Sequence, residues 1–344
     1  PSRPTATAPL LVWASTSKTS CSLCLRLKRF AALAVRLGAV LFSRSDLGKV
    51  PRVFLKTGFH NNVIKNNLIH TLNGIDMTST LHPSIERARS NGVSLDMQGA
   101  VAVVRLCRPA KRNALSDTLI EALRDVFQNL PREAGAAVIH GEGDHFCAGL
   151  DLSELKERDA GEGVHHSRSW HAALEAVQFG RVPVITALHG AVVGGGLELA
   201  SASHIRVADD STFYALPEGT RGIFVGGGGS VRIPKLIGVA RMTDMMMTGR
   251  VYNAQDGERL GFAQYLVPTG QSLAKAIELA TRIATNAPLT NYALMHALPR
   301  IAEQPADHGF MTEALMASIA QAAPEAKARV RAFLEGKAPK VSKD

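Results

Sequence analysis

Three short apolar runs, each followed by a loop of small residues and then a helical pattern, constrain the fold of this chain most tightly. Residues 100–106 (AVAVVRL), Ala136–His140 and Val182–His189 are rich in β-branched residues and nearly continuous in apolar character. Such runs suit strands buried on both faces. Between the first two, Ser116 stands where an N-cap is expected, and a helix is predicted over Asp117–Leu130 with Pro131 stopping it. Leu152–Arg158 can start a second helix, which Gly161 and Gly163 should break, and a further helical stretch is predicted over Ser167–Gln178. Another helix is expected to begin near Gly195. Short strands follow at His204–Ala208 and Thr212–Ala215, and a second glycine run, Gly226–Gly229, leads into more helix. From Leu273 the pattern is helical and Ala-rich, ending in a Lys-rich tail. Strands alternating with helices predict an α/β core with parallel pairing. No fixed-period repeat is present.

Charge is distributed unevenly. The chain carries a formal net charge of +9, and residues 1–76 alone hold 11 Lys/Arg against Asp46 and Asp76. The whole excess therefore lies in that segment, and the remainder has no bulk electrostatic reason to seek nucleic acid. Residues 1–76 contain no Met, and the first Met is Met77. Two readings are open for this basic stretch. It is a targeting peptide, with an acid-free first 45 residues and an apolar-basic run over Leu23–Leu41, or it precedes a start at Met77. The missing initiator favours the second, and with it a cytoplasmic protein; a genuine transit segment would imply the mitochondrial matrix. On either reading the expected organisation is a basic extension over 1–76, a core over 77–270 and a C-terminal helical region over 271–344. No apolar run reaches the ~18–20 residues that a membrane-spanning helix needs. Cys21 and Cys24 form a CxxC with no second pair, so no zinc framework is predicted. Cys107 and Cys147 read as small core residues.

Three segments hold candidate chemistry: FCAGLD (Phe146–Asp151), GAVVGGGLELA (Gly190–Ala200) and LPEG (Leu216–Gly219). In the second, a strand ends, glycines turn the chain and a helix starts, which leaves backbone N–H groups unpaired at the helix N-terminus. Such donors suit a developing oxyanion or a phosphate. Glu198, in the first helical turn, opposes a phosphate, and the glycines match neither the dinucleotide nor the P-loop pattern. Taken alone, Glu198 is a favourable partner for the helix dipole, and Glu218 is a solvated turn residue. Together they form a candidate acid/base pair, provided the fold brings them into one apolar pocket that separates their proton affinities. The Leu150 N–H, in a third loop of small residues, is a candidate second oxyanion donor. His165, His166 and His171 lack metal-ligand spacing, and no metal is expected. Met245, Met246 and Met247 read as core filler.

The ordered series RPAKRNALS (Arg108–Ser116), FCAGLD, HGAVVGGGLELA, LPEG and the glycine run resembles the crotonase superfamily of enoyl-CoA hydratases and isomerases, from about Val93 onward. The resemblance implies a spiral of ββα units with a helical C-terminal region, assembled as homotrimers or homohexamers. It also implies an acyl-CoA thioester substrate, with coenzyme A as part of the substrate and no separate cofactor. By the same resemblance Leu150 and Gly195 supply the oxyanion-hole N–H groups, and Glu198 and Glu218 are the catalytic pair. Arg112, Ala114, Ala148, Asp151, Leu152 and Ser153 would then line the CoA groove. Hydration of a trans-2-enoyl-CoA is the leading expectation. Double-bond isomerisation, which in this family can use only the carboxylate at the Glu218 position, and an aromatic hydratase-lyase are the alternatives. A nucleotide-binding module and a nucleic-acid-binding protein acting through the basic tail are the readings outside this family. Leu216, where hydratases often carry Gln, and Ile223-Phe224-Val225, in place of a Pro-containing approach to the glycine run, depart from the family pattern. They leave acyl specificity open.

Overall fold

The structure, a computed structural model, describes residues 82–338 except Leu155. The basic extension over 1–76 lies outside the described residues. Helix α1 (Pro83–Ser90) precedes an antiparallel pair, β1 (Val93–Gln98) and β2 (Val101–Leu106). Helix α2 (Asp117–Gln128) follows, then β3 (Ala136–Gly141), α3 (Ala160–Gln178), β4 (Val184–Leu188), β5 (Ala191–Val193) and α4 (Gly195–Ser201). Next come β6 (Ile205–Asp209), β7 (Phe213–Ala215), α5 (Gly229–Ile237), α6 (Val239–Thr248), β8 (Val251–Asn253), α7 (Ala254–Leu260) and β9 (Tyr265–Val267). The chain then turns helical, through α8 (Ser272–Ala284), α9 (Pro288–Tyr292), a π-turn over Ala293–Ala297, α10 (Leu298–Ile301), α11 (Ala306–Ala322) and α12 (Pro324–Leu334).

The strands form a six-stranded sheet in the order β1-β2-β3-β4-β6-β9 and a three-stranded sheet in the order β5-β7-β8. Pairing from β2 to β9 is parallel throughout, as the continuous apolar runs predict. Side chains of these strands alternate between two cores. Val101, Val103, Ala136, Val138, Ile185 and Ala187 pack with Ala276, Leu279 and Ala280 of α8. Ala102, Val104, Leu106, Ala137, Ile139, Val184 and Leu188 pack in the larger core with Leu119, Leu123, Val126 and Leu174 of α2 and α3. Covering both faces is what allows a parallel sheet in water. The small sheet is a separate layer, and β5 leads directly into α4.

Several expectations are corrected. Helix α3 runs straight through Gly161 and Gly163, because Asp159 forms a capping box with Glu162: its side chain accepts the Glu162 N–H at 2.8 Å, and the Glu162 carboxylate accepts the Asp159 N–H at 3.2 Å. The glycines therefore sit in a turn secured by its cap, and Leu152–Glu154 forms only a 3-10 turn. Strands β1, β5, β8 and β9 and the splitting of the sheet are structural additions to the sequence reading, with β5 forming where the sequence reads as a loop of small residues. Cys107 is half-buried while Cys147 is buried. Met245 and Met246 are core residues, but Met247 is 76% exposed.

Ser116 caps α2, its hydroxyl accepting the Leu119 N–H at 3.1 Å. Upstream, Arg112 and Asn113 are consecutive left-handed residues with φ of 50° and 55°. Asn tolerates this region better than most residues, and Asn113 is fully buried. Its amide donates to the carbonyls of Glu142 (2.9 Å) and His145 (2.7 Å), and its oxygen accepts the Arg108 N–H at 2.9 Å. This one side chain ties the loop before α2 to the loop after β3, the loop that leads to FCAGLD. Asn113→Ala would remove three part-buried hydrogen bonds to backbone groups, and thermal or urea unfolding should show a loss of about 3 kcal/mol.

Candidate active site

Two backbone N–H groups come together first. Residues Phe146–Leu150 lie against β5, with the Cys147 N–H donating to the Ala191 carbonyl (2.9 Å) and the Val193 N–H to the Cys147 carbonyl (3.1 Å). The Leu115 N–H then donates to the Gly149 carbonyl (2.7 Å) and the Asp151 N–H to the Leu115 carbonyl (2.9 Å). These two bonds flank Leu150 in a parallel bridge to Leu115, so the Leu150 N–H faces away from Leu115. Gly195 opens α4, where the first N–H groups have no partner within the helix. Neither the Leu150 nor the Gly195 N–H donates to another described residue. A Cβ built on Gly195 would lie 3.6 Å from the Leu150 nitrogen, and one built on Gly149 would lie 3.4 Å from the Gly195 nitrogen. The two donors are therefore neighbours, and their closeness depends on Gly149 (φ 95°), where a Cβ would also come within 2.7 Å of the Val193 carbonyl oxygen.

The two carboxylates lie beside the start of α4. Glu198 is 4% exposed, and its Oε1 accepts the N–H groups of Gly227 and Gly229, each at 2.8 Å. Glu218 is 8% exposed and follows β7 by way of Leu216 and Pro217. Its Oε1 would lie 2.7 Å from a Cβ on Gly194, the N-cap of α4, and its Oε2 has no hydrogen-bond partner. Burial pushes the proton affinity of Glu198 up, while the N–H groups of Gly229 and Gly227 and the Arg232 cation pull against it. Burial also pushes Glu218 up, to about 7, with the Glu198 charge adding to the effect. The environments thus differ in kind: one carboxylate has two dedicated donors, whereas the other has an oxygen with none. Both carboxyls are therefore raised above the ordinary glutamate range, Glu198 against two donors that favour its charged form and Glu218 with an oxygen that has none, so the two hold their protons in unlike settings.

A raised carboxyl pKa costs stability once the group must ionise. Between the usual Glu value and about 7 the folded protein binds more protons than the unfolded chain, so stability falls as pH rises through that window and levels off above it. Glu218→Gln removes the cost. Its melting temperature should exceed the parent's at pH 8, with the difference shrinking towards pH 4.5. Gly194 has φ of 53° and no room for a methyl group beside Glu218 Oε1, so Gly194→Ala should displace that carboxylate and reduce turnover in a steady-state assay.

The residues expected along a CoA groove separate into different environments. Arg112 and Ser153 are exposed, Leu152 is 50% exposed, Ala148 is half-buried and Ala114 is buried. Asp151 is buried, and its carboxylate turns inward to Arg108 Nη2 (2.7 Å), Lys111 Nζ (3.5 Å) and the Ser153 hydroxyl (2.6 Å). The Ser153 hydroxyl and the Arg108 guanidinium hold Asp151 well below the usual carboxylate range. Arg108 also donates to the Ala114 carbonyl at 2.6 Å, so the cluster joins the RPAKRNALS loop to FCAGLD. Sequence reasoning missed Arg108 and Lys111 as the partners of Asp151, although both lie in the quoted motif. His166 bonds Asp117 at 2.6 Å, while His171 borders a cavity of about 1150 Å³ that is also lined by Arg168, Gln178, Arg232 and Arg300. Neither Glu198 nor Glu218 lines that cavity. The paired carboxylates and the free N–H groups locate the chemistry better than cavity size does.

The family model of the enoyl-CoA hydratase/isomerase family matches residues 96–343. A solved structure from Rhodopseudomonas palustris CGA009, provisionally named an enoyl-CoA hydratase, is 59% identical with a TM-score of 0.70, covering 72% of this chain and 96% of its own. The carnitinyl-CoA dehydratase of Proteus mirabilis (strain HI4320) is 34% identical over 64% of this chain and 85% of its own length. The 2,3-dehydroadipyl-CoA hydratase of Escherichia coli (strain K12) is 30% identical over 70% of this chain and 95% of its own. A crotonase-type fold with this site defines an enzyme class that works on acyl-CoA thioesters. The chain belongs to the enoyl-CoA hydratase/isomerase family.

Proposed function

We propose that the chain hydrates a trans-2-enoyl-CoA thioester, using Glu198 and Glu218 as its acid/base pair. The observation that carries this reading is the convergence of two unlike carboxylates and two unpaired N–H groups on the start of α4. The thioester oxygen would accept the N–H groups of Leu150 and Gly195. Glu198, ionised, takes a proton from a water whose oxygen bonds to C3. The C2=C3 electron pair moves into the thioester as an enolate held by the two amides. The enolate then takes the Glu218 proton at C2. One proton has entered the pair and one has left, so exchange between the carboxyls restores the starting state. Each well-placed oxyanion donor contributes on the order of 3 kcal/mol. No cofactor is needed beyond the coenzyme A of the substrate.

The reading includes a CoA groove along Leu150–Ser153 and the Arg112–Ala114 turn, and a homotrimer or homohexamer. Supporting the assembly, α11 and α12 present Phe310, Met311, Leu315, Val330 and Phe333, each more than half exposed. A cytoplasmic location and no role for nucleic acid complete it. Among the described residues no helix is long and apolar enough to cross a membrane.

The test follows the conjugated enoyl absorbance of a short trans-2-enoyl-CoA. Glu198→Gln and Glu218→Gln should each reduce hydration by roughly 10²–10⁴-fold, and undiminished hydration in both variants would end the proposal. If the natural reaction is isomerisation of a 3-enoyl-CoA, Glu198→Gln should keep most of that activity and Glu218→Gln should lose it.

A further inference from the structure

The Gly226–Gly229 turn that holds Glu198 has no side chains of its own to fix it, and glycine backbones are the most freely moving in a folded chain. Its rigidity must come from neighbours. The Gly226 carbonyl accepts the Ser167 hydroxyl of α3 at 2.6 Å. That carbonyl belongs to the same planar peptide as the Gly227 N–H, which donates to Glu198. Planarity points the two groups in opposite directions, so Ser167 aims the donor. The next carbonyl, of Gly227, accepts Arg232 Nη1 at 2.9 Å, and Arg232 Nε donates to Gln178 Oε1 of α3 at 2.7 Å. Arg232 therefore grips the peptide lying between the two that carry the donor N–H groups, and α3 steadies its guanidinium.

We propose that Arg232, oriented by Gln178 and seconded by Ser167, is the positioning residue for Glu198: it holds the glycine turn in register so that both N–H groups meet one carboxylate oxygen. It also brings a positive charge that acts on Glu198. The other charged or titratable groups facing this region are Arg168, His171 and Glu175 on α3, Lys235 on α5 and Glu218 across the site. Among the forces on the Glu198 proton, Arg232 is the leading charge and favours the ionised form.

The inference rests on Glu198 being catalytic, as proposed above. Steady-state hydration of a short trans-2-enoyl-CoA tests it on the full chain, with melting temperatures measured alongside. Ser167→Ala loosens the turn without changing charge. It should lower kcat by on the order of 10-fold with little change in KM and, by weakening the Gly227 donor that favours ionised Glu198, move the acid limb of the kcat/KM profile to higher pH. Arg232→Gln should lower kcat by on the order of 10–100-fold and move the acid limb to higher pH. Arg232→Lys should keep that limb where it is in the parent. In a Glu198→Gln background, Arg232→Gln should cost no further turnover. If Glu198→Gln is inactive but Arg232→Gln and Ser167→Ala keep the parental kcat and acid limb while only melting earlier, the positioning role is overturned and the catalytic reading survives. Full activity in Glu198→Gln overturns both.

Discussion

One carboxylate oxygen, Oε1 of Glu198, organises the site by accepting the N–H groups of Gly227 and Gly229. A buried, unpaired carboxylate would be very costly. Two short hydrogen bonds to its charged form offset much of that cost and fix the side chain at the same time. Everything nearby is arranged around this contact. Helix α4 presents the glutamate, α5 begins inside the turn that receives it, and α3 braces the turn. Glu218, placed alongside with one oxygen unpartnered, feels both the burial and the neighbouring charge. The contrast between the two acids is a consequence of where hydrogen-bond donors are present and where they are not.

The fold delivers these pieces by stacking three chain crossings. β4 ends, β5 begins the small sheet, and α4 starts within a few residues, so the Gly195 N–H lies at a switch between two sheets. The Cys147–Leu150 segment zips onto β5 on one side and Leu115 on the other, which brings the Leu150 N–H next to that of Gly195. Asn113 and the Arg108–Asp151 ion pair fix the loops that make this possible. Buried ion pairs are weak sources of net stability. Here the pair joins two loops whose relative position sets the spacing of the Leu150 and Gly195 N–H groups.

Much of this was legible in the sequence. The continuous apolar runs at 100–106, Ala136–His140 and Val182–His189 gave the parallel strands because burial on both faces leaves a compositional mark. Ser116 gave the start of α2 because a hydroxyl one residue before a helix has a specific backbone donor to satisfy. Glu198, Glu218, Leu150 and Gly195 each have an ordinary reading alone, as a dipole partner or a turn residue, and are singled out together by the order of their motifs and the family resemblance. What stayed hidden depends on distance in space. The capping box that carries α3 past Gly161 and Gly163 was readable in principle, from Asp159 and Glu162. The inward turn of Asp151 toward Arg108 was not, since a carboxylate in a loop reads equally well as a ligand contact. Nor could the role of Arg232 be seen, because its partners on α3 lie more than fifty residues away in sequence.

The central claim is that two neighbouring buried acids hold their protons differently, with Glu218 protonated near neutrality. Infrared difference spectroscopy across a pH titration measures this directly through the C=O stretch of a protonated carboxyl. The account predicts a band that disappears with a midpoint at about 7 and is absent from the Glu218→Gln protein. A Glu218 band already lost near the ordinary carboxylate range, or one that persists unchanged in Glu218→Gln, would contradict it.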